Sequence, residues 1–158
     1  MYLFINTSNN KFISLALADA KGKILVYKKI KAEYQQAEKL LTAIEKIIVK
    51  YQQEIKKKKF IRREQKFLFP AGFWSQILGI IVVQGPGGFT SLRIGIATAN
   101  ALAWALQIPI VGVEWKKDVM ELQDKQLISI GLNKIKKSKK FKQILPKYGS
   151  EPNITMKK

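Results

Sequence analysis

The chain contains neither cysteine nor histidine in its 158 residues. Disulfides, a thiol nucleophile and the usual zinc ligand sets are thereby excluded, and so is a serine–histidine triad. Acids are also scarce: 11 Asp and Glu stand against 29 Lys and Arg, giving a formal net charge of +18 and a pI near 10.1. Any chemistry would have to use carboxylates, lysines, hydroxyls or backbone amides, and no catalytic residue, cofactor site or metal site stands out. The excess of cations favours a polyanion, whether RNA, DNA or an anionic membrane surface. A host proteome rich in lysine would produce runs such as residues 56–59 equally well. No basic segment precedes the short apolar start at residues 1–5, so no secretory signal is read and a cytoplasmic location is expected. Residues 94–113 carry no charge and approach the length of about 20 residues that spans a bilayer. Pro109 interrupts them, and Asn100 and Gln107 lie inside, so a buried helix, a turn and a buried strand are expected rather than a membrane segment.

What is present reads as one domain-sized chain with 47% apolar residues, enough for a real core. Residues 2–5, 12–18 and 24–27 are apolar runs separated by polar turn clusters, a β-meander with a hairpin turn at residues 19–23. Ala37, Leu40, Leu41, Ile44, Ile47, Ile48, Tyr51 and Ile55 recur at spacings of three and four, which predicts an amphipathic helix. Residues 56–66 hold seven basic residues and one acid, and residues 67–74 concentrate aromatics beside Pro70 and Gly72. Either a loop over the core edge or a basic–aromatic surface for nucleotide bases would account for them. A strand at residues 77–83, a helix at 91–106 and a strand at 110–113 form a βαβ unit, so these strands should be parallel. Beyond residue 114 the pattern fades: a short helix within 119–132 is expected, followed by a lysine-rich, loose end.

The helix at 92–106 is almost entirely Gly, Ala, Ile, Leu and Trp, with only Arg93, Thr98 and Asn100 polar within the run. A helix lying on a sheet normally shows one polar face, so this one must be covered on both sides. The residues after 115 are mostly polar, which favours a partner over an internal covering. Gly95, Ala99, Ala101 and Ala103 would admit a close neighbour, with Trp104 as an anchor.

Between strand and helix stands Gly85-Pro86-Gly87-Gly88-Phe89-Thr90-Ser91-Leu92-Arg93-Ile94-Gly95. No lysine follows these glycines, which excludes a P-loop, and the dinucleotide fingerprint fails after Gly87. The glycines permit positive φ and close backbone approach, Pro86 stiffens the entry, and Thr90 or Ser91 is placed to cap the helix. Anion binding by free amides and a purely structural turn both remain open.

This segment resembles the Gly-Pro-Gly-Ser-Phe-Thr-Gly-Leu-Arg-Ile-Gly signature of the TsaB (YeaZ) family. Ile5-Asn6-Thr7-Ser8 is similar to the family's opening Ile-Asp-Thr-Ser, and residues 108–113 are similar to its Ile-Pro-hydrophobic-hydrophobic-Gly-Val strand. The resemblance covers residues 1–115. It implies an α/β, actin/Hsp70/hexokinase-like (ASKHA, RNase H-like) lobe, a mixed sheet flanked by helices, and residues 116–158 as a reduced, lysine-rich remnant of a second lobe. The segment at about 56–76 has no counterpart in the family.

The resemblance further implies a non-catalytic subunit that docks a TsaD-like partner and supports threonylcarbamoyl transfer to adenosine 37 of tRNA. ATP would then be bound by the partner and not by this chain, with a TsaE-like ATPase also expected, tRNA reached through the complex, and a homodimer as a further candidate. The docking surface would comprise Ile94, Gly95, Thr98, Ala99, Leu102 and Trp104, with Leu41, Ile44 and Ile48 from the first helix; the motif turn is Gly85, Pro86, Gly87, Phe89, Thr90 and Arg93. Lys57, Lys58, Arg62, Arg63, Lys136 and Lys139 are candidate RNA contacts. Three departures stand out: Asn6 replaces the family's Asp, and Gly88 and Ser91 replace Ser and Gly. The first counts against an ATP-dependent kinase or phosphatase of the same superfamily. The alternative is a stand-alone basic tRNA- or RNA-binding protein on the same fold.

Overall fold

The computed structural model describes residues 1–58, 74–115, 124–138 and 140–148, with backbone alone for 56–58. Lys57 and Lys58 therefore have no described side chains, and Arg62, Arg63, Lys139 and most of the 56–76 segment lie outside the described residues.

Alternation and turn chemistry produce three strands, β1 (Tyr2–Asn6), β2 (Phe12–Ala18) and β3 (Ile24–Lys31). Asp19 closes the β2–β3 turn by accepting from the amides of Lys21 and Lys23 at 2.8 and 2.9 Å, while Gly22 takes φ +87°. The 3.6-residue period then gives α1 (Gln36–Lys58), followed by β4 (Gly79–Gly85), α2 (Phe89–Ala105), β5 (Ile110–Glu114) and α3 (Asp124–Ile135). The strands form one mixed sheet in the order β3-β2-β1-β4-β5. β1 pairs antiparallel with β2, and β2 with β3, while β1–β4 and β4–β5 are parallel. The uncharged stretch at residues 94–113 resolves into most of α2, a turn and most of β5; among the described residues no helix is long and apolar enough to cross a membrane.

Side-chain alternation divides the core into two layers. Leu3, Ile5, Leu15, Leu17, Ile80 and Val82 face α1 and α2. Phe4, Ala16, Ile81, Val83, Val111 and Val113 face the other way, toward Leu127, Ile128, Leu132 and Ile135 of α3. All seven residues of β4 are buried because both of its faces are covered.

The C-terminal part departs from the expected loose end. Residues 140–148 form a strap across α2, on which Phe141 and Ile144 pack against the core. The Asn100 side chain donates to the Ile144 carbonyl at 2.8 Å and accepts from its amide at 3.0 Å, so a side-chain amide substitutes for a strand partner. The Lys147 amide donates to the Gln84 carbonyl at 2.7 Å. The chain thus supplies part of the covering of α2 that was expected from a partner, using a few apolar residues spaced among lysines.

Candidate functional site

The glycine turn is a packing joint. Gly85 has φ +137°, and a Cβ there would lie 1.9 Å from the Lys147 carbonyl oxygen; the peptide bond from Gly85 to Pro86 is cis. At Gly88 a Cβ would lie 1.5 Å from Asn10 Oδ1. The Gly88 amide donates to the Ser8 carbonyl at 3.0 Å, so an amide available to an anion is engaged internally. The helix begins two residues earlier than expected, at Phe89: Gly88 is its N-cap and no side chain caps it. Ser91 instead bonds Asn10 Oδ1 at 2.8 Å and the Gly88 carbonyl at 3.0 Å. Thr90 is exposed. Phe89 stacks on Tyr148 with ring centroids 4.8 Å apart. Arg93 donates from Nε to the Tyr148 hydroxyl at 2.7 Å and lies 3.8 Å over the Phe89 ring. Pro86 and Gly87 sit at the partly open end of this joint, where Gly87 abuts Ser8.

The residues expected to dock a partner divide into two groups. Gly95 and Ala99 are buried in the chain's own core, and a Cβ on Gly95 would lie 2.0 Å from Thr7 Oγ1. Ile44 and Ile48 are buried beneath α1. Gly95 and Ala99 face the sheet, which corrects their assignment, since these small residues admit the β1–β2 loop and the sheet instead of a foreign helix; Ile44 and Ile48, though almost fully buried, line a groove between α1 and α2. Leu41 (58% exposed) and Trp104 (63%) are free, and Ile94, Thr98 and Leu102 are half-buried. Leu41 belongs to the apolar spacing, yet it follows Leu40 by about 100° and falls off the stripe's edge. With Val49, Trp74 and Leu102 it lines a groove of about 420 Å³ between α1 and α2.

A second cavity, of about 720 Å³, opens on the α3 face. Its walls carry a chain of polar contacts. Asn6 Nδ2 donates to Asp124 Oδ1 at 2.7 Å, and the Tyr27 hydroxyl donates to Asp124 Oδ2 at 2.7 Å. Asn6 Oδ1 accepts from the Ser8 amide and hydroxyl at 3.0 and 2.7 Å, and Trp115 Nε1 donates to Ser8 Oγ at 3.0 Å. Partial burial holds the Tyr27 phenol above its ordinary pKa, with the Asp124 carboxylate acting in the same direction and the Ser14 hydroxyl opposing. Asn6, the departure from the family motif, thus ties β1 to α3 through its nitrogen and to Ser8 of the β1–β2 loop through its oxygen. Sequence reasoning missed Asp124, Tyr27 and Trp115. The available signal was an acid in the first turn of a helix, where the dipole favours it.

A third cluster ties the strap to β5. Gln84 Nε2 donates to Glu114 Oε1 at 2.7 Å, and Lys147 Nζ bonds the same oxygen at 2.8 Å. The lysine contact comes first among the causes that hold the Glu114 carboxyl below its ordinary range. Of the expected RNA contacts with described side chains, Lys136 is exposed just beyond α3.

Residues 71–116 match the family model for TsaD, tRNA N6-adenosine threonylcarbamoyltransferase. Thirty-four residues are 53% identical to the tRNA threonylcarbamoyladenosine biosynthesis protein TsaB of Bacillus subtilis (strain 168), covering 22% of this chain and 15% of that one. A tRNA N6-adenosine threonylcarbamoyltransferase of Geotalea daltonii is 56% identical over 39 residues, 25% of this chain and 11% of its own. The fold resembles YeaZ from Pseudomonas aeruginosa with a TM-score of 0.54 and 24% identity, over 72% of this chain and 43% of that one. The matched segments are thus a small part of the curated relatives and less than half of the solved structure. The chain is accordingly an α/β lobe, a mixed sheet flanked by helices, whose fold is similar to that of YeaZ and whose sequence is similar over short segments to both TsaB and TsaD proteins.

Proposed function

We propose that the chain is a non-catalytic TsaB-like subunit that docks a TsaD-like protein and supports threonylcarbamoyl transfer to tRNA adenosine. The observation that carries this reading is the apolar groove between α1 and α2, with Leu41, Val49 and Trp104 exposed along it or beside it. Neighbouring apolar side chains left in water on two adjacent helices are the mark of a protein interface. Similarity to TsaB and TsaD sequences supports a partner of the TsaD kind and a role in threonylcarbamoyladenosine formation. A TsaE-like ATPase, tRNA reached through the complex and a second copy of the chain complete the proposed set of partners, and the cytoplasm is the proposed location. Non-catalytic status is supported by Asn6: its amide nitrogen and oxygen are both committed to internal hydrogen bonds where a carboxylate would serve phosphate or metal.

The test is co-expression with the TsaD-like protein of the same host, followed by size-exclusion chromatography. Leu41→Asp with Trp104→Glu should abolish co-elution while the circular dichroism spectrum of the chain stays unchanged, since both side chains lie outside the core. A complex that survives both substitutions would remove the groove as the docking surface. The level of threonylcarbamoyladenosine in tRNA, measured by nucleoside mass spectrometry in a TsaB-depleted host, should fall in parallel.

A further inference from the structure

We propose that the α3 face of the sheet carries a site for a single-stranded RNA segment, separate from the docking groove on the opposite face. α3 buries its apolar side chains against β1, β4 and β5 and against Ala16 and Ala18 of β2. Among the described residues the outer half of that face is open. There the cross-strand partners are Phe12 with Lys31, Ser14 with Lys29, and Ala16 with Tyr27. Partners directly opposite in a sheet point the same way, so Phe12, Tyr27, Lys29 and Lys31 share one surface. Phe12, Tyr27 and Lys29 line the cavity together with Trp115, Asp124 and Lys125.

The chemistry of that surface is selective. Asp124 is the one acid among the lining residues, and both of its oxygens receive hydrogen bonds, from Asn6 and Tyr27. The cations are not tied down in that way. Among the described residues Lys29 has its ammonium 4.8 Å over the Phe12 ring, and neither Lys29 nor Lys125 is in an ion pair with an acid. Aromatic rings at the floor and wall, with ammonium groups beside them, match the stacking-plus-backbone recognition used for unpaired nucleic acid. The volume lies within the roughly 300–1,000 Å³ of ligand sites. β3 is an edge strand, so the floor runs out to the sheet's edge and an extended strand can pass across it. Lys21 and Lys23 of the turn before β3, with Lys29 and Lys31 of β3 itself, add positive potential at that edge.

The probe is a fluorescein-labelled single-stranded RNA oligonucleotide of mixed sequence, titrated with the full chain across a salt series. Lys29→Glu with Lys125→Glu should weaken binding at least tenfold and lower the salt slope by about 1.4, the loss of two phosphate contacts on a single strand. Lys28→Glu with Lys46→Glu makes the same change in net charge on exposed positions turned away from the cavity, and should cost no more than about twofold. Tyr27→Ala should weaken binding about tenfold with the salt slope unchanged, whereas Tyr27→Phe, which keeps the ring and loses the bond to Asp124, should stay within about twofold. Circular dichroism confirms that each variant is folded. Equal losses from the two lysine pairs would mean that only total charge matters, and would overturn the site. Equal losses from the two tyrosine variants would overturn stacking. Displacement of the RNA by AMP at an affinity matching that of the oligonucleotide would show a mononucleotide pocket in place of a strand site.

Discussion

The two faces of the sheet are finished differently. On the α1/α2 face the core is complete, and apolar side chains continue past it into solvent at Leu41, Val49 and Trp104. On the α3 face, among the described residues, one short helix covers the centre and the remainder is polar, aromatic and cationic. The first face ends in groups that only another protein surface can bury well. The second ends in groups that water already solvates and that a polyanion can engage. A chain of this size can therefore serve two kinds of partner without their competing for one surface.

The comparison breaks most severely at Gly95, the point where the inner side of α2 meets the β1–β2 loop. A side chain there collides with Thr7, whose hydroxyl donates to the Ser91 carbonyl at 2.7 Å. Gly95→Leu should cost at least about 4 kcal/mol, in the range of severe overpacking with a lost buried hydrogen bond, and leave little folded chain. A well-folded Gly95→Leu variant in thermal melting would show that α2 is free to lift, and that this face is not complete.

The α3 face is expected to yield by less. Leu127 is fully buried beneath α3, and Leu127→Ala should lower stability by about 2–5 kcal/mol through lost burial and a cavity. Because α3 also carries Asp124, hydrogen exchange should rise in α3 while α1 and α2 stay protected. Uniform exchange in all three helices would mean that the two faces unfold as one unit.

Much of the fold was legible, because each of its signals is local. The short apolar run Leu3, Phe4 and Ile5 ending in a polar turn cluster, the 3.6-residue spacing of Leu40, Ile44, Ile47 and Ile48, and the glycine turn placed most elements within a few residues. The burial of Gly95 and Ala99 was misread. Small residues signal that something approaches closely, but not whether it is the chain's own loop or a partner. The strap was invisible for another reason. Phe141, Ile144 and Tyr148 follow no regular period, and their contacts with α2 join residues about 44 to 55 apart in sequence. The contact between Asn6 and Asp124 spans 118 residues, and no pattern within either segment announces it.

The strap tests whether α2 is covered by the chain itself or waits for a partner. Asn100→Ala removes both hydrogen bonds to Ile144 and should cost about 1–3 kcal/mol. Limited proteolysis should then cut within residues 140–148 before the rest of the chain is attacked. Unaltered cleavage would mean that Phe141 and Ile144 hold the strap through apolar contact alone.

The smallest effect concerns the latch between Glu114 and Lys147. Both side chains are substantially exposed, 39% and 60%, so the pair is worth less than about 1 kcal/mol. The lysine hydrogen bond lowers the Glu114 pKa in the folded chain, so the folded state holds this proton less tightly than the unfolded state does. Its stabilisation is therefore present above the unfolded carboxyl pKa and is lost as pH falls through the lower, folded one. Glu114→Gln keeps an oxygen for Gln84 and removes only the charge. The variant should be slightly less stable than the parent at neutral pH, equal to it in acid, and closer to it in high salt. A difference that persisted at low pH would place the role of Glu114 in packing, and the strap would then be held on β5 by shape and not by charge.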